Sequence, residues 1–63
     1  MKLELRKGYD SEYAEAIGRV SKTKPVMGVL IGNNNVLDVA QGTMKEIIKY
    51  FQSHKIDEVI NLL

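Results

Sequence analysis

Six consecutive apolar positions, Val26-Met27-Gly28-Val29-Leu30-Ile31, lie between Pro25 and Gly32. Pro25 biases the residue before it towards extended backbone, and Gly32 with three asparagines behind it favours a turn. A short run rich in β-branched residues and bracketed in this way specifies a strand. It is far short of the roughly 20 residues that a membrane-spanning helix needs. Successive side chains in a strand point to opposite faces, so Val26, Gly28 and Leu30 line one face and Met27, Val29 and Ile31 the other. Both faces therefore need cover from a chain of only 63 residues and 7.1 kDa. A chain of that size forms one domain, residues 1–63, and buries only about 60% of its unfolded surface.

The remaining segments arrange themselves around this strand. Lys2–Lys7 alternates, with Leu3 and Leu5 on one side and Lys2, Glu4 and Arg6 on the side expected to meet water. After Gly8, Asp10 or Ser11 can cap a helix whose apolar stripe is Tyr13, Ala16, Ile17 and Val20, with Glu15 and Arg19 paired outside it. Gly32-Asn33-Asn34-Asn35 predicts a hairpin turn, and Val36–Gln41 its second strand. Thr43-Met44-Lys45-Glu46 fits a capping box opening a second helix, with Met44, Ile47, Ile48 and Phe51 as its core stripe.

Residues 56–63 admit two readings. Ile56, Val59, Ile60 and Leu63 have helical spacing, but in a continuous helix that stripe would be rotated by about 110° from the preceding one. A helix ending near His54-Lys55, followed by a strand over Glu58–Leu63, removes the conflict and is the expectation. The order β-α-β-β-α-β then resembles the split βαβ arrangement of the ferredoxin-like superfold, an α+β fold with two helices on one sheet face. The alternative is βαββα with a longer C-terminal helix.

The resemblance places the second and last strands at the sheet edges, where apolar side chains and free backbone groups invite association. With no cysteine and no metal motif to reinforce a small core, oligomerisation is the common remedy. The expectation is a homo-oligomer, most simply a dimer, joined through Met27, Val29, Ile31, Val59 and Leu63. Asn33, Asn34 and Asn35 at the hairpin tip, with Tyr9 and Tyr13 at the first strand-to-helix junction, are the candidate contacts for a partner or ligand.

The residues offer little to catalysis. His54 is the single histidine, and its place in the last turn of a helix suits an imidazolium there. Asp57 and Glu58 diverge in a strand, and Glu12 and Glu15 sit on a wet helix face, so no paired carboxylates or metal-ligand spacing emerge. No catalytic residue, metal or cofactor is expected. Charge is nearly balanced, +2 over residues 1–25 and −1 over residues 26–63, without a basic stripe for phosphates. The third strand carries no stacking aromatics, and nucleic acid is not an expected partner. The N-terminal segment lacks the apolar core of a signal peptide, so the expected location is cytoplasmic and off the membrane. These exclusions, with the surplus apolar strand surface, point to a non-enzymatic oligomeric module that binds a protein partner as a regulator or inhibitor does. The alternative is a small-ligand binder with its pocket between subunits.

Overall fold

Two asparagines set the geometry of the central hairpin. Asn33 and Asn34 have φ of 52° and 63°, and Gly32 pairs directly with Asn35 across them. Positive φ at both central residues defines a type I′ turn, whose twist matches that of the flanking strands. The computed structural model describes residues 1–8 and 23–63. Its strands are β1 (Lys2–Lys7), β2 (Val26–Gly32), β3 (Asn35–Gly42) and β4 (Glu58–Asn61), with helix α1 (Met44–Phe51) between the last two. The predicted helix over Tyr13–Val20, its Asp10 or Ser11 cap and the Glu15–Arg19 pair lie outside the described residues.

The four strands form one mixed sheet in the order β3-β2-β1-β4. β2 is antiparallel to both β1 and β3, whereas β4 runs parallel to β1. This overturns the ferredoxin-like expectation. In that arrangement the second strand lies at an edge, parallel to the first. Here Lys7 pairs with Val26, so the chain leaves β1 and re-enters β2 at the same end of the sheet. The described residues hold one short helix, which does not fit a two-helix split βαβ fold. The longer C-terminal helix also fails, because α1 stops at Phe51 and residues 58–61 are strand. The physical reason for the changed order is the double-sided apolarity of β2. A strand with two apolar faces is stable where both faces are covered and both ladders are paired, which is an internal position.

On one face Leu3, Leu5, Val26 and Leu30 meet Ile47 and Phe51 of α1, with Ala40, Met44 and Ile56 packed around them. On the other, Met27, Val29 and Val39 form a second cluster, bordered by Ile31. Glu4 and Arg6 share that second face, opposite Val29 and Met27 in register. They were expected to meet water, but their side chains are only 15% and 22% exposed. The guanidinium closes on one carboxylate oxygen through Nε at 3.1 Å and Nη2 at 3.0 Å, so each charge is met where burial would otherwise penalise it.

α1 forms the crossover that the parallel pair β3 and β4 demands. Thr43 Oγ1 accepts the Glu46 N–H at 3.2 Å, and Glu46 Oε1 accepts the Thr43 N–H at 3.0 Å, the capping box expected from the sequence. The bond from the Thr43 N–H holds the Glu46 carboxyl below its ordinary pKa. Ile48 departs from the expected core stripe: it is 57% exposed, whereas Ile47 and Phe51 are buried.

Gly28 explains how closely the helix approaches. A Cβ there would lie 2.5 Å from Ile47 Cγ2 and 2.9 Å from Phe51 Cε2, inside van der Waals contact. Gly28→Ala is therefore expected to cost about 1–3 kcal/mol through overpacking. Urea unfolding checks this as a lower midpoint at unchanged slope.

Candidate interaction surface

The sheet has two unlike edges. On β3, a bulge between Leu30 and Ile31 of the partner strand leaves Leu37 unmatched, and the Val39 N–H donates to the Asp38 carboxylate at 2.8 Å. A bulge and a charge beside the backbone are devices that blunt an edge against further pairing. β4 carries no bulge in its register with β1, and its segment from Glu58 to Leu63 contains neither lysine nor proline. The Leu62 N–H donates to the Leu5 carbonyl at 2.8 Å. Alternate residues of an edge strand in a parallel ladder face its neighbour, so Ile60 bonds inwards and Val59 and Asn61 turn their backbone groups outwards.

Apolar side chains collect beside this open edge. Val59 is the register partner of Leu3 and so stands on the helix-bearing face; it is 58% exposed, and Leu62 and Leu63 are exposed beyond it. On α1 the Tyr50 hydroxyl donates to Asp38 Oδ2 of β3 at 3.0 Å. Ile48, on the opposite flank of the helix at 100° per residue, therefore leans towards β1 and β4.

The expected interface residues separate. Met27 and Val29 are both 0% exposed and buried within the chain itself, so neither has surface to offer a second copy. Ile31 is partly exposed, while Val59 and Leu63 are at the open edge. Asn33 and Asn34 form the turn and, with Lys2, Ile31, Asp57 and Glu58, line an open cleft of about 330 Å³. Asn35 opens β3, and its Nδ2 donates to the Asn33 carbonyl at 3.1 Å. Tyr9 and Tyr13 lie outside the described residues. Sequence reasoning missed Ile48 and Leu62 as surface groups. Ile48 lies 100° from Ile47 but Phe51 only 40°, a difference that would have separated them.

No group of three or more His, Cys, Asp or Glu suited to a metal ion occurs among the described residues. His54 packs its ring near Phe51, with centroids 6.2 Å apart, and Asp57 instead pairs with the Met1 amine at 2.7 Å. No described helix is long and apolar enough to cross a membrane. Comparison with protein-family models, with curated proteins and with solved structures gives no match to this chain.

Two predictions separate architecture from contact. Asn33→Ala and Asn34→Ala should each destabilise the fold by about 1 kcal/mol, since alanine tolerates the left-handed region poorly, while glycine at either position should retain stability in thermal melts. The hydrogen bond to Asp38, and then the charge of that carboxylate, push the Tyr50 hydroxyl above its ordinary pKa of 10.0. A raised folded-state pKa means stability fully present below the unfolded value and lost as pH rises through the folded one. Asp38→Asn should lower the titration of one tyrosine in a spectrophotometric titration near the phenolate band, and should flatten the loss of stability at alkaline pH.

Proposed function

We propose that this chain is a small, cytoplasmic, non-enzymatic module that self-associates and acts by binding a protein partner in the manner of a regulator or inhibitor. The observation that supports it is the exposure of two large aliphatic side chains, Ile48 at 57% and Val59 at 58%, in a domain this small. Each large aliphatic side chain left in water forgoes about 1.5–3 kcal/mol that burial in an interface recovers. Single exposed hydrophobes are ordinary, but Val59, Leu62 and Leu63 stand together at an open strand edge, which marks a contact surface. The balanced charge of the chain suits a partner of mixed surface rather than a polyanion.

A photo-crosslinking residue in place of Ile48 tests this in the source cells. The expected outcome is a discrete adduct tens of kilodaltons heavier, absent when the same probe replaces Lys45, which is exposed on the same helix. Equal labelling from both positions, or none from position 48, defeats the reading. The cleft lined by Asn33 and Asn34 favours the second reading, a small polar ligand. That reading predicts a few hundred daltons of added mass in native mass spectrometry, lost with Asn33→Gly and Asn34→Gly together.

A further inference from the structure

The open edge of β4 has a partner in its own sequence. We infer that two copies of this chain pair antiparallel along β4, about a two-fold axis at Asn61, so that one sheet runs through both. This deepens the proposal of self-association and rests on it.

Three observations support a second copy as the occupant. The first is the contrast between edges: β3 is bulged and its Val39 N–H is taken by Asp38, while β4 has no bulge against β1 and turns the backbone of Val59 and Asn61 outwards. Only one edge can continue, so pairing closes as a dimer instead of growing into a fibre. The second is the fit of side chains. With Asn61 opposite Asn61 of the partner subunit, Val59 faces Leu63 of the partner subunit on the helix-bearing face, and Ile60 faces Leu62 of the partner subunit on the other. Each exposed apolar residue of the segment thus gains an apolar neighbour, and the paired amides meet at the axis, where side-chain hydrogen bonds form across the strands.

The third observation is charge. In this register neither Asp57 nor Glu58 faces an acid or an apolar residue of the segment 59–63. Centring on Ile60 would put Glu58 against Leu62 of the partner subunit, and centring on Val59 would put it against Ile60 of the partner subunit. Two-fold pairing makes each such mismatch occur twice. One donor changes partner on assembly: the Leu63 N–H, 3.0 Å from Asn61 Oδ1 in the single chain, turns to the carbonyl of Val59 of the partner subunit.

Asn61→Pro isolates the edge. The N–H it deletes faces outwards and serves no bond in the β1–β4 ladder, and proline favours extended backbone at Ile60 before it. Val59→Lys provides a second variant, because that side chain is exposed and an edge lysine opposes strand addition. Sedimentation equilibrium at about 100 μM, above the micromolar constants typical of small interfaces, should give twice 7.1 kDa for the natural chain. Both variants should give the single mass, with circular dichroism unchanged. If Asn61→Pro unfolds, Val59→Lys carries the reading alone. A natural chain of single mass overturns the inference, and so does a dimer that persists in Val59→Lys. Neither result alters the crosslink expected from position 48, so loss of that adduct with the dimer intact would instead defeat the partner-binding proposal.

Discussion

β2 is the member on which the rest of the architecture depends. It is buried on both faces, Leu30 under the helix and Met27 and Val29 on the other side, all at 0% exposure. It is paired on both edges, to β1 and to β3. No other described strand satisfies both conditions. β2 sits between β1 and β3 in a sheet whose edges are β3 and β4, and because those two run parallel, the chain between them must cross the sheet. α1 is that crossing, and Gly28 lets it rest directly on β2, with Ile47 and Phe51 filling the space a side chain would occupy.

Much of the local structure was legible from residue patterns. The alternation of Lys2–Lys7, the apolar run at Val26–Ile31 and the Thr43–Glu46 capping box each correspond to an observed element. So does the argument that a rotated stripe ends the helix and places a strand over Glu58–Leu63, of which Glu58–Asn61 is observed as strand. Strand order was not legible in the same way. Periodicity reports which faces of a strand are apolar, not which strand lies beside it, and the resemblance to a known topology supplied the missing neighbour wrongly. The double-sided apolarity of Val26–Ile31 already implied an internal position; assigning that strand to an edge turned a requirement for burial into an expected interface.

The candidate surface shows the same limit. Asn33 and Asn34 stood out by composition, and the backbone explains them through positive φ, which any sequence with that turn must satisfy. Ile48 was hidden by its neighbours, since apolar residues at adjacent positions of a short helix look like one stripe until the angle between them is counted. Glu4 and Arg6 looked solvated because they alternate with leucines, yet the face they share with Met27 and Val29 is covered and holds them as a pair. In each case the missing information was what lay across from the residue.

The parallel pairing of β1 with β4 has a consequence for how the molecule is assembled. Lys2 lies opposite Glu58 and Leu5 opposite Asn61, so this ladder forms only after nearly the whole chain has been brought round on itself. Closing a loop that long carries an entropic cost of about 3–4 kcal/mol, whereas the β2–β3 hairpin closes across two residues. β4 is consequently the strand that docks last and opens first, held by one ladder and by few buried side chains. Its backbone amides should exchange with solvent through openings far smaller than global unfolding. The edge most open to pairing is thus also the part of the sheet with the least stability of its own, and its order depends on what lies beside it.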